Sequence, residues 1–128
     1  MDGLLKKITF APIDVDLFDG TAKAVAEVLS KPSKDKLNKS TQLRRFYDEI
    51  CLWDEKVVAD VSKFDDMLPF IRMLNAKAAY AKGRELVDDN FVRLMRSCLG
   101  QVTNTQTMQH FKLFMEAVMG FYKELRPN

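Results

Sequence analysis

Apolar residues recur at intervals of three and four along most of this chain, the period of helices with one buried face. A first helix is predicted over residues 18–29, with Ala22, Val25, Ala26 and Leu29 on its inner face and Asp19 as a candidate cap. Residues 31–39 contain Pro32 and many charges and read as a loop. A long helix then starts at Ser40, its apolar face formed by Leu43, Phe46, Tyr47, Ile50, Trp53 and Val57. A third begins near Asp65 or Asp66. Pro69 is expected in its first turn, where a missing N–H costs little, and Gly83 is expected to stop it. Asp88 or Asp89 caps a fourth helix, whose inner face is Phe91, Leu94, Met95, Cys98, Leu99 and Val102. Asn104 or Thr105 caps a fifth with heptad-like spacing from Met108 through Phe111, Met115, Val118 and Tyr122 to Leu125. Phe114, Met119 and Phe121 widen its apolar arc, which suits the central helix of a bundle or one that also meets another subunit.

The pattern predicts an all-α fold, a bundle of about five helices forming a single domain over residues 1–128. An N-terminal arm at about 1–17 has no assigned conformation beyond a short extended stretch at 8–15. Phe46, Ile50, Trp53, Leu94, Cys98, Phe111 and Met115 are the expected core.

Composition narrows the class. Apolar residues make up 47% and charged residues 30%, the balance of a globular rather than a disordered chain. No apolar run approaches the roughly 20 residues of a membrane span, and the N-terminus lacks the long apolar stretch of a secretory signal. Cys51 and Cys98 have neither metal-ligand nor disulfide-framework spacing. They read as buried thiols, and the expected location is the cytoplasm.

The net charge of +2 does not mark a nucleic-acid binder, but the distribution is uneven. Residues 30–45 are basic (Lys31, Lys34, Lys36, Lys39, Arg44, Arg45) with Asp35 as the only acid, and residues 48–66 are mostly acidic. Arg44 and Arg45 near a helix N-terminus oppose the helix dipole, so a contact role explains them better than helix stability does. Lys77, Tyr80 and Arg84 share one face of an alanine-rich helix. An aromatic between two cations suits a polyanion that carries flat rings, as single-stranded nucleic acid does. The same residues also fit a solvated helix face with Tyr80 as a packing anchor.

Catalysis finds little support. His110 is the only histidine, and no metal-binding, nucleophile-elbow or phosphate-loop motif occurs. The paired carboxylates Asp65–Asp66 and Asp88–Asp89 stand where helices start, and capping accounts for them. No cofactor, metal or catalytic residue is expected.

Two segments together resemble a known family. STQLRRFYDEI at 40–50 and LNAKAAYAKGR at 74–84 are similar to the paired signature of the small subunit of type III-A CRISPR effector complexes, the Csm complexes. HFKLFMEAVMGFYKELR at 110–126 resembles that family's final helix. The resemblance implies an all-helical, non-catalytic subunit. Copies of it stack beside a filament of backbone subunits and line the groove where target RNA pairs with guide RNA. The implied partners are RNA, the backbone and large Csm subunits, and further copies of the chain, with no membrane. The motifs carry Arg44, Arg45, Lys77, Tyr80, Gly83 and Arg84. The RNA-contacting residues expected are Arg44, Arg45, Lys77, Tyr80 and Arg84, with Lys39, Arg72 and Lys82 as additions. Two alternatives stay open on residues alone: a free-standing helical protein-interaction module, and a small toxin or nuclease acting on RNA.

Overall fold

The structure is a computed structural model that describes residues 1–127. Among these the fold is all helical, with no strand. A single turn, α1 (Asp2–Leu5), is followed by an arm and a π-helical turn (Leu17–Thr21) that runs directly into α2 (Ala22–Leu29). Next come α3 (Ser40–Ala59), a 3₁₀ turn (Val61–Lys63), α4 (Phe64–Arg72), α5 (Leu74–Gly83), α6 (Asp89–Gly100) and α7 (Thr105–Leu125). The wide apolar arc of α7 is explained by its position: α2 and α3 pack on it from two sides. α5 pairs with α6, and α4 links α3 to α5. The buried side chains form one cluster, which includes Phe46, Ile50, Leu94, Cys98, Phe111 and Met115 as expected.

Caps resolve as the sequence chemistry allows. The Asp88 carboxylate accepts from the Phe91 N–H at 3.0 Å and starts α6. Asn104 and Thr107 satisfy each other's backbone N–H groups in a capping box that starts α7.

Four expectations change. The third predicted helix is two helices, α4 and α5, interrupted at Met73. Phe64 and Ile71 on one piece, and Leu74 and Ala78 on the other, are all in the core. Pro69 lies inside α4 rather than in its first turn, because α4 starts at Phe64. Gly83 is the last residue of α5 but does not make the stop. Glu85 takes the left-handed conformation (φ 58°), the Leu86 N–H bonds Ala81 C=O, and the Glu85 N–H bonds Lys82 C=O, both at 2.9 Å. Asp19 sits within the π-helical turn, where no side chain caps.

Trp53 and Cys51 are half-buried rather than core, whereas Cys98 is fully buried and burial pushes its thiol pKa well up. The arm is more ordered than its pattern suggests. Ile8 and Phe10 are buried, with the Phe10 ring 5.9 Å from Phe111 and 6.0 Å from Phe114. Gln101 accepts from the Phe10 N–H at 2.9 Å and donates to the Ile8 carbonyl. His110 Nδ1 lies 2.7 Å from the Phe10 carbonyl and therefore carries the proton, so the lone histidine fastens the arm.

The polar centre of the fold is Asn38. It is fully buried and left-handed (φ 57°), a conformation asparagine tolerates better than most residues. Its side chain donates to Leu29 C=O at 3.0 Å and accepts from the Asp88 N–H at 3.0 Å. Its backbone N–H bonds Leu86 C=O at 3.0 Å, and its own carbonyl accepts from the Tyr122 hydroxyl and from Arg126. Asn38→Ala leaves Leu29 C=O and the Asp88 N–H without partners and forces alanine into a left-handed backbone. It is expected to lower unfolding free energy by about 3–4 kcal/mol, read by urea denaturation.

A second polar feature lies between α3 and α7. Lys112 pairs with Glu116 at 3.0 Å, and the Tyr47 hydroxyl donates to Glu116 at 3.4 Å. Nearby, Asp54 has one carboxylate oxygen buried without a hydrogen-bond partner. Desolvation raises its pKa, against the attraction of Lys112. A carboxyl whose folded pKa lies above its unfolded value opposes folding once ionised. That cost is present at neutral pH and is relieved as pH falls through the folded pKa. Asp54→Asn is therefore expected to raise stability at about pH 7, with the gain shrinking toward zero below about pH 4. Denaturation curves of both proteins at the two pH values check it.

Candidate nucleic-acid interface

The alanines of α5 decide which of its side chains face outward. Leu74, Ala78 and Ala81 are buried against the bundle, and α6 packs beside them. Lys77, Tyr80 and Arg84 consequently stand on the outer side, next to α3. Lys77 Nζ meets the Glu49 carboxylate at 2.7 Å, and a hollow between the two helices is lined by Arg45, Lys77, Tyr80 and Arg84 with Gln42 and Glu49. Phe46, Ala81 and Leu86 also line it. Tyr80 is 67% exposed, so its ring lines the groove and is not a packing anchor. The Arg84 guanidinium lies 5.9 Å from the Tyr80 ring centroid.

Four of the eight expected residues thus share one groove, and four do not. Arg44 and Arg45 are neighbours in sequence but project about 100° apart on a helix. Arg44 lines a separate hollow between α3 and α7 with Met119, Tyr122 and Lys123, and pairs with Asp48 at 3.3 Å. Lys39 pairs with Asp35 at 3.5 Å, and Lys82 with Asp89 at 2.9 Å. Arg72 donates to Val102 C=O at 3.1 Å and ties the end of α4 to the connection between α6 and α7.

Charge within the groove is uneven. Glu49 offsets Lys77, whereas Arg45 and Arg84 have no carboxylate partner among the described residues. The strongest positive field therefore lies at the Arg45–Arg84 end, on either side of Tyr80. Pairs as exposed as Lys77–Glu49 are worth about 0–1 kcal/mol, so a phosphate can take the carboxylate's place at little cost.

Glu49 and Gln42 were not among the expected residues. Neither were Trp53, Lys56, Phe70 and Met73, which continue the same surface. The spacing held a signal, because Phe70 and Met73 extend the Lys77–Tyr80–Arg84 stripe at the same three- and four-residue steps. The pairing of Glu49 with Lys77 joins residues 28 apart and leaves no trace in local periodicity. Among the described residues no group of three or more His, Cys, Asp or Glu side chains is placed to hold a metal ion. Among the described residues no helix is long and apolar enough to cross a membrane.

Among the described residues the chain is an all-helical bundle with a groove between α3 and α5 lined by cations and an exposed aromatic ring. The particular family is shown by a family model described as Csm2 Type III-A, which matches residues 14–128. The chain belongs to that family, and its members are subunits of the type III-A CRISPR Csm complex. The match takes in α2 to α7 and leaves out α1 and the start of the arm. No curated protein and no solved structure matches the chain.

Proposed function

We propose that this chain is the non-catalytic small subunit of a type III-A CRISPR RNA-guided interference complex, and that it contacts the target RNA and its duplex with the guide through the α3–α5 groove. Several copies stack beside the backbone filament in the cytoplasm, so each needs only a weak contact, and avidity supplies the rest. The observation that carries the RNA contact is the pair of unpartnered guanidinium groups, Arg45 and Arg84, flanking an exposed Tyr80 across the groove. Guanidinium groups suit phosphate because their donors form a planar fork. Contacts of this kind position the strand without reading its sequence, which base pairing with the guide already does. Lys77 joins when phosphate displaces Glu49. Arg44, Lys39 and Lys82 add to the surrounding field, and Arg72 has its structural tie to Val102.

Neutralising three phosphates through Arg45, Lys77 and Arg84 gives a log–log salt slope of about −2 for single-stranded RNA. Raising salt from about 50 to about 200 mM then weakens binding roughly 20-fold per copy. Arg45→Ala with Arg84→Ala removes two of the three contacts and is expected to flatten the slope by about 1.4. Target affinity of reconstituted complexes against salt measures this. Unchanged affinity and slope, with normal incorporation of the variant, would make the groove a solvated face.

Glu49→Gln gives the opposite sign. It releases Lys77 and removes a like charge at a separation of about 6 Å from the bound phosphate, worth roughly threefold in affinity at low salt. Filter binding of wild type and variant at low and at high salt checks it, with the difference expected to vanish at high salt.

A further inference from the structure

The α5 stripe continues past the basic groove. Phe70, Met73, Lys77, Tyr80 and Arg84 follow one another at steps of three and four, and Phe70, Met73 and Tyr80 are 59%, 55% and 67% exposed. On the facing helix Arg45, Glu49 and Trp53 stand four residues apart, about 6 Å of helix rise at each step. The pairing of Lys77 with Glu49 and the packing of Phe70 on Trp53 join the two rows into one antiparallel surface. It is cationic at the Arg45–Arg84 end and aromatic at the other.

The aromatic end has a definite geometry. The Phe70 ring lies nearly parallel to the Trp53 indole and offset from it, with centroids 6.2 Å apart and planes 18° from parallel. Lys56 Nζ is 4.6 Å from the indole centroid. Trp53 is half-buried against the core, so Phe70 rests on a fixed support while remaining mostly exposed itself. An exposed ring beside a second aromatic that carries a cation is a surface on which an unpaired base can stack. A dry protein contact over the same patch would strip water from Lys56 and Lys77, whereas a nucleic-acid strand brings phosphates to both.

We propose that Phe70, backed by Trp53, is a stacking platform for an unpaired base of RNA whose adjoining phosphates lie along the groove toward Arg45 and Arg84. The ligand class is single-stranded RNA, because bases inside a duplex present no open face. The proposal rests on the groove being an RNA contact and adds to it a base-dependent component that phosphate contacts lack.

Trp53 is the one tryptophan of the chain, so its emission reports on the platform directly. The full chain at low salt is titrated with a single-stranded oligoadenylate, with a strand of the same length carrying abasic sites, and with a duplex. The expected result is a change in Trp53 emission with the oligoadenylate only. Its affinity should exceed that of the abasic strand by about tenfold, the scale of one stacked base. Phe70→Ala should bring the intact strand down to the abasic affinity and leave the abasic strand unchanged. Phe70→Leu, which keeps an apolar side chain at this exposed position, guards against a folding defect and should lose most of the difference. Arg45→Ala with Arg84→Ala should weaken both strands alike. Salt-dependent binding with no preference for the intact strand, or a preference that survives both Phe70 variants, overturns the platform while sparing the RNA contact. No salt-dependent binding of either strand overturns both. Phe70 variants that bind both strands as wild type but fail to enter the reconstituted complex would make the patch a protein-docking site and overturn the platform.

Discussion

Asn38 is the constraint on which the arrangement of the helices depends. The loop after α2 must cross to the start of α3 while passing the end of α5, the start of α6 and the last turns of α7. Backbone groups buried at such a crossing need partners, and a loop has no ladder to supply them. The side-chain amide, N–H and C=O of one residue meet that need, bonding Leu29, Leu86, Asp88, Tyr122 and Arg126. Arg126 extends the knot by donating to the carbonyls of Leu37 at 2.9 Å and of Asp35 at 2.8 Å. Polar groups buried in this way bond at defined angles, so they fix relative positions that apolar contacts alone would leave free to slide.

The groove depends on that fixation. Arg45 is on α3, seven residues after Asn38. Arg84 lies at the end of α5, two residues before Leu86, whose carbonyl holds the Asn38 N–H. The two unpartnered guanidinium groups are therefore anchored to the same knot from opposite sides, and their spacing across Tyr80 follows from it. At the far end of the groove, α4 packs against α3 and Phe70 stands beside Trp53. The modest net charge is consistent with this layout. Within the seam Glu49 offsets Lys77, whereas Arg45 and Arg84 have no carboxylate partner among the described residues.

The helical faces, the two side-chain caps and the family resemblance were legible in the sequence, because each depends on residues within a few positions of one another. Asp88 and Asn104 show this well: each precedes an apolar run and each caps as its chemistry predicts. What depends on distant partners was not legible. Nothing local shows that Glu85 rather than Gly83 takes the left-handed position, since packing of Leu86 and the Asn38 bond set where α5 ends. The burial of Ile8 and Phe10 relies on Gln101 and His110, about ninety to a hundred residues away. In the groove, Lys77, Tyr80 and Arg84 followed from helical spacing, but the offset of Lys77 by Glu49 did not. The divergence of Arg44 from Arg45 was implicit in helix geometry, and only the position of α7 gives it meaning.

The central claim is that target RNA lies along the seam between α3 and α5. Ultraviolet crosslinking of an assembled complex bound to target RNA, followed by mass spectrometry of this subunit's peptides, tests it most directly. The account predicts RNA adducts on the peptide spanning residues 74–84, with Tyr80 as the modified side chain, and their loss when Arg45 and Arg84 are replaced. Adducts confined to the opposite side of α3, around Arg44 and Lys123, with none on α5, would contradict it.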